Sequence, residues 1–99
     1  MRNERIEGNY TIDNDLIFHG MITGDVIVTE NGKLILHGEV CQNLSVEKKG
    51  KAVVHGSVGG NVISHGGLIE VYGTIKGKII QGAENITIHK GSFINGIKQ

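Results

Sequence analysis

The chain has no proline and no tryptophan, one cysteine, few aromatic residues and no net charge. The lone cysteine, Cys41, excludes an internal disulfide framework and is typical of a reducing compartment. Ten basic and ten acidic residues leave no basic field that would hold a nucleic-acid backbone. No stretch is apolar for long enough to cross a membrane, and none resembles a secretory signal. We therefore expect a soluble, cytoplasmic protein that does not span a membrane and does not bind nucleic acid.

Glycine, by contrast, is abundant, with 16 residues among 99. Many glycines and no proline suit a fold with tight corners whose strands all keep their hydrogen-bond donors. The length is that of one domain. Residues 1–4 are polar and are expected to form an N-terminal arm, and residues 5–99 to form the domain itself.

A pattern of 16 to 18 residues repeats five times along the chain, and a sixth copy begins and stops. The copies span residues 5–20, 21–38, 39–56, 57–73 and 74–91, and the fragment spans residues 92–99. Within each copy, apolar residues recur two positions apart, which is the alternation of a β-strand. The second position of the copies holds Ile6, Ile22, Val40, Val58, Ile75 and Phe93, and the sixth position holds Tyr10, Val26, Leu44, Val62, Ile79 and Ile97.

Copies of this length cannot bury their own apolar residues, but stacked copies share a continuous core. The repeat therefore predicts an all-β, single-domain β-solenoid of about five coils, each rising by roughly 4.8 Å, the spacing of neighbouring strands. A β-sandwich would need repeated hairpin turns. Asn31-Gly32 is the one good signal of that kind that we identify, which favours the solenoid. The residues leave the hand of the coil open.

Each complete copy ends with an aromatic or imidazole ring at the same position: His19, His37, His55, Tyr72 and His89. One interpretation is a metal site. That would need three or four converging ligands with supporting partners, whereas this column runs along the rod and is interrupted by Tyr72. The favoured interpretation is a ladder of like side chains at a corner. We expect no metal and no cofactor.

Two surfaces are candidates for contact with another protein. The first is an outward stripe on the first three coils, formed by Ile17, Ile35 and Val53, with His19, His37 and His55 at the corner beside it. Such a patch fits a docking surface, although outward aliphatic residues also occur simply because they favour strands.

The second surface is the C-terminal edge, where Phe93 and Ile97 fall in core columns and only Lys98-Gln99 follow. Unpaired strand edges above an apolar core recruit another chain. No Ser-His-Asp or Cys-His grouping is evident, so we expect no catalytic residues and no enzyme.

Several stretches, HGEVCQNLSV, HGSVGGNVIS and YGTIKGKII, resemble the repeats of bactofilins, the polymer-forming cytoskeletal proteins of bacteria. The resemblance covers nearly all of residues 6–97. It implies a small right-handed β-helix that polymerises end to end through apolar residues at its termini, to which Phe93 and Ile97 correspond. The chain departs from that family in lacking long flexible tails and in having fewer coils.

The sequence thus predicts a non-enzymatic protein that acts by protein–protein contact. The first hypothesis is a self-assembling, bactofilin-like scaffold whose partner is a second copy of itself. The alternative is an immunity or inhibitor protein that binds a cognate toxin through one of its faces. An enzyme resembling the solenoid acyltransferases is the least supported hypothesis, because those enzymes have hexapeptide repeats and this chain lacks a clean six-residue period.

Overall fold

A computed structural model describes residues 5–81 and 86–99; the predicted arm at residues 1–4 and the loop at residues 82–85 lie outside the described residues. The described residues form 17 short strands and no helix, and therefore contain no helix that could span a membrane. The strands wind into a β-solenoid of five coils and part of a sixth, as the repeat predicts.

Each complete coil contributes three strands. The first coil holds β1 (Arg5–Ile6), β2 (Tyr10–Ile12) and β3 (Asp15–Phe18). The second holds β4 (Met21–Ile22), β5 (Val26–Val28) and β6 (Lys33–Leu36), and the third holds β7 (Glu39–Val40), β8 (Leu44–Glu47) and β9 (Lys51–Val54). The fourth holds β10 (Ser57–Val58), β11 (Val62–His65) and β12 (Leu68–Val71), and the fifth holds β13 (Thr74–Ile75), β14 (Ile79–Gln81) and β15 (Ile86–Ile88). The partial sixth holds β16 (Phe93–Ile94) and β17 (Ile97–Lys98).

Equivalent strands of successive coils stack into three sheets. The first sheet has the order β1-β4-β7-β10-β13-β16-β17. The second has the order β2-β5-β8-β11-β14, and the third has the order β3-β6-β9-β12-β15. All described strands of successive coils pair in parallel, and the register matches the repeat: Ile22 pairs with Val40, Val40 with Val58, and Val58 with Ile75. The central inference from the sequence, that like residues lie directly above one another, is confirmed.

The core lies inside the three sheets. Because side chains of a strand alternate between its two sides, every second residue faces the interior. In the second to fifth coils, these interior-facing residues are completely buried: Ile22, Val26, Val28, Leu34, Leu36, Val40, Leu44, Val46, Ala52, Val54, Val58, Val62, Ile69, Val71 and Ile75.

The corner after each ring of the histidine column brings backbones of successive coils into close contact. A Cβ atom placed on Gly56 would lie 1.9 Å from the carbonyl oxygen of Gly38, and one on Gly38 would lie 1.9 Å from that of Gly20. No side chain fits at that distance, so Gly38 and Gly56 cannot be replaced as long as the coils stay in contact.

A second corner is held by a ladder of side-chain oxygens that we did not predict. The Asn9 side chain accepts a hydrogen bond from the backbone N–H of Asp25, and the Asp25 side chain accepts one from Asn43. Asn43 accepts in turn from Asn61 at 2.8 Å, and Asn61 from Lys78 at 2.9 Å. We call this series the amide ladder. It satisfies one backbone donor per coil at a corner where the sheet hydrogen bonds are interrupted.

The C-terminal copy differs from the prediction by one residue. Thr74 pairs with Phe93 and Ile75 with Ile94, so Ile94 and not Phe93 occupies the second column. The reason is an insertion: Ser92, which is buried and donates from its hydroxyl to the His89 carbonyl, takes the place of the corner glycine, and Lys90-Gly91 form an extra turn before it.

The placement of Ile97 in the sixth column is also wrong. The chain reverses at Asn95-Gly96, and β17 pairs antiparallel with β16, with Ile97 opposite Ile94. Both turn residues have positive φ, 53° and 77°, as a two-residue type I′ hairpin requires. Asn95-Gly96 is therefore a hairpin signal that the sequence contains and that we missed, whereas Asn31-Gly32 lies in the loop between β5 and β6.

Candidate functional site

The C-terminal end of the solenoid leaves core positions uncovered. Ile88 stands in the column of Phe18, Leu36, Val54 and Val71, all of which are completely buried, but it is 42% exposed. Ile79 and Ile86 continue two further core columns and are only partly buried. The last complete coil therefore presents its interior to solvent.

The hairpin formed by β16 and β17 makes this end stepped. It extends the first sheet by two strands beyond β14 and β15, or roughly 10 Å. Residues directly opposite each other in an antiparallel pair point to the same side. Ile97 therefore faces the interior side, like Ile94, yet it is 63% exposed, since no described strand lies beyond β14 and β15 in the second and third sheets. Phe93 points outward and is 43% exposed.

The N-terminal end is better closed. In the first coil, Phe18 and Ile12 are already buried, while Ile6, Tyr10 and Leu16 pack against the core and remain partly exposed. Both ends thus offer apolar side chains, and the C-terminal end offers more.

The predicted histidine column forms a continuous stack of rings. The centroids of His19 and His37 lie 4.7 Å apart, those of His37 and His55 4.8 Å, and those of His55 and Tyr72 4.6 Å, with interplanar angles no larger than 11°. His89 stacks on Tyr72 at 3.8 Å. We call these five residues the ring ladder. The first three centroid distances match the spacing of neighbouring strands, as expected for like residues in register.

In a stack, the nitrogens of successive rings lie one above another along the axis of the solenoid, so they do not converge on a single metal ion. Within residues 5–81 and 86–99, no three His, Cys, Asp or Glu side chains are grouped so that they would hold a metal ion. His89 has a carboxylate partner instead, since its Nε2 lies 3.5 Å from Glu70 Oε1, and Lys51 Nζ lies 3.9 Å from Glu70 Oε2.

An open groove of about 670 Å³ runs beside the ring ladder. Its lining comprises Arg5, Gly20, Met21, His37, Gly38, Glu39, Gly56 and Ser57. The corner glycines lack side chains, so the groove separates the rings from the outward side chains of the first sheet. Its polar lining consists of Arg5, Glu39, His37 and Ser57.

The exposed part of the predicted outward stripe is shorter than expected. Ile17, Ile35 and Val53 lie in register on β3, β6 and β9, and Ile17 is 42% exposed, but Val53 is only 9% exposed. Val53 pairs with Glu70, and Glu70 reaches Lys51, which is two residues before Val53 on the same side of β9. These long side chains surround Val53, so it is not part of an exposed patch.

A recess of about 280 Å³ lies at the N-terminal end of this stripe. It is lined by Asp15, Leu16, Ile17, Lys33 and Ile35. The recess combines the exposed Ile17 and the partly exposed Leu16 and Ile35 with one acid and one base.

Comparison with protein-family models, with curated proteins and with solved structures finds no match to this chain.

Proposed function

We propose that the protein is a non-enzymatic β-solenoid that associates with copies of itself end to end and serves as a scaffold, in the manner of the bactofilins that its repeats resemble. The observation that supports this most directly is the C-terminal end. Ile88 and Ile97 face the interior side of the solenoid and are nevertheless 42% and 63% exposed.

The hydrophobic effect favours covering such residues, and a second solenoid end is the matching surface. The strands β14 and β15 are the last members of their sheets among the described residues, so their outer backbone groups are available for pairing. An added end would therefore gain both apolar contacts and strand pairing.

The test is the sedimentation of the purified protein over a wide concentration range, together with electron microscopy for filaments. The wild-type chain should associate, and Ile97→Arg should abolish association because it places a charge in the new core. Ile27→Arg is the matched control: Ile27 is also an exposed isoleucine, but it lies on the outer side of the second sheet, away from both ends.

Circular dichroism would establish that both variants fold. A wild-type protein that stays monomeric at all concentrations would contradict the proposal. So would an Ile27→Arg variant that loses association as completely as Ile97→Arg.

A second candidate function, a toxin-binding immunity protein, is favoured by the recess at Ile17 and Ile35. Its partner would be retained by the wild-type chain and by Ile97→Arg when purified from the native cell. Ile17→Asp should release that partner. If no partner is retained at a fixed ratio, or if Ile17→Asp retains it, this candidate fails.

A further inference from the structure

The chain has no net charge, but its charged side chains are divided along the axis of the solenoid. Residues 5–38, the first two coils, hold five acidic and two basic side chains. Residues 39–73 hold three of each. Residues 74–99 hold four lysines and one acid, Glu84, while residues 1–4 hold one of each. The side-chain charge therefore changes from −3 at the N-terminal end to +3 at the C-terminal end.

These charges are on the surface and near the two ends. Glu7, Asp13 and Asp15 are exposed on the first coil. The four lysines, Lys76, Lys78, Lys90 and Lys98, are exposed on the fifth coil and on the terminal turn and hairpin. Four strand spacings, or about 19 Å, separate the first coil from the fifth. That exceeds two Debye lengths at physiological salt, so the two ends of one molecule do not neutralise each other.

We propose that the copies stack in one direction, with the basic C-terminal end of one chain on the acidic N-terminal end of the next. This inference rests on the proposed self-association, because it specifies which end is the partner of the open C-terminal end. The assembly is then polar, and each contact joins two different surfaces, so that it continues from chain to chain.

Charge complementarity selects this arrangement over the alternatives. Two C-terminal ends in contact would bring eight lysines together, and two N-terminal ends would bring the acidic side chains together. Like charges that face each other across an interface disfavour that arrangement, whereas opposite charges increase the rate at which the two surfaces associate. The apolar residues at both ends supply the contact area, with Ile88 and Ile97 on one side and Ile6 and Leu16 on the other.

Strand direction agrees with the charges. Each of the strand pairings between successive coils is parallel, and among the described strands the sole antiparallel pair is β16 with β17. Stacking a second chain in the same direction keeps its strands parallel to those of the first chain, whereas joining two C-terminal ends would reverse them.

The first experiment measures self-association of the wild-type chain by sedimentation at low and high salt. Between about 20 mM and about 500 mM NaCl, association between unlike ends should weaken by about tenfold or more, because salt screens the attraction. Association between like ends should instead become stronger, because salt then screens a repulsion.

The second experiment reverses the charge of one end at a time. Asp13→Lys/Asp15→Lys and Lys90→Glu/Lys98→Glu should each weaken association by about tenfold or more at low salt. The chain carrying all four substitutions has opposite ends again and should recover. Glu30→Lys/Glu47→Lys is the matched control: it changes the net charge as the first pair does, but at exposed positions of the second and third coils, in the loop after β5 and at the end of β8.

The outcomes separate this inference from the proposed function. If the wild type associates, but Asp13→Lys/Asp15→Lys has no effect and salt strengthens association, the stacking direction is wrong and self-association stands. If the control pair weakens association as much as the end pairs do, charge at the ends is not the cause. If the wild type never associates, the proposed function itself fails.

Discussion

The amide ladder offers a quantitative test of how the coils are held together. Replacing Asn43 with alanine removes the oxygen that accepts the Asn61 backbone N–H at 2.8 Å. This bond is partly buried, so water replaces the lost acceptor only incompletely. A backbone donor left without a partner costs about 1–3 kcal/mol when buried, and we expect about 1–2 kcal/mol here. For a chain of this size each kcal/mol lowers the unfolding temperature by about 4–8 °C.

The assay is urea and thermal unfolding followed by circular dichroism. Gln42→Ala is the matched control, because Gln42 is the neighbouring residue, is similar in chemistry and is exposed; it should change the free energy of unfolding by less than about 0.5 kcal/mol. Asn61→Ala frees the Lys78 N–H, whose bond is exposed, and should cost less than Asn43→Ala because water reaches that donor.

A rescue variant separates the lost oxygen from the lost volume. Asn43→Asp keeps an accepting oxygen, as Asp25 does in the coil before. It should recover part of the stability, with more recovery at high salt, because two carboxylates about 4.8 Å apart repel each other. The reasoning is refuted if Asn43→Ala is no less stable than Gln42→Ala, or if Asn43→Asp is as damaging as alanine in high salt.

A further prediction concerns the corner glycines that follow the ring ladder. Gly56→Ala should destabilise the chain by more than about 3 kcal/mol or prevent folding, because its Cβ would lie 1.9 Å from the Gly38 carbonyl oxygen. Ser57→Ala, one residue along, should be nearly neutral in the same urea titration. Equal stability of the two variants would contradict the close contact.

The repeat made the fold readable from the sequence. Side-chain alternation assigned the core columns, and the spacing of 17 or 18 residues between Ile22, Val40, Val58 and Ile75 indicated the register. The same pattern fails at the C-terminal end, because a fifth copy that ends at Gly91 places the corner at that glycine and not at Ser92. The inserted Lys90-Gly91 turn moves the register by one, and the local preference of Asn95-Gly96 for a hairpin overrides the continuation of the column.

Other features were visible in the sequence but were not used. Asn9, Asp25, Asn43 and Asn61 occupy one column. Each has a side-chain oxygen that accepts a hydrogen bond, and such a polar column indicates a ladder as clearly as an apolar column indicates the core. The division of charge between the two ends was hidden by the net charge of zero. The burial of Val53 could not be read from alternation, since it depends on where the long side chains of Lys51 and Glu70 come to lie.

The lengths of the complete coils show where this architecture accepts additional chain. Four residues separate the first-sheet core position from the second-sheet one in each coil, as from Ile22 to Val26, whereas the spacing from the second sheet to the third varies from four residues (Ile12 to Leu16) to six (Val28 to Leu34). The corner between β5 and β6, or between β8 and β9, is therefore the natural graft site for a foreign peptide. An insertion there would project sideways from the rod, and copies stacked in one direction would display it at regular intervals along one edge.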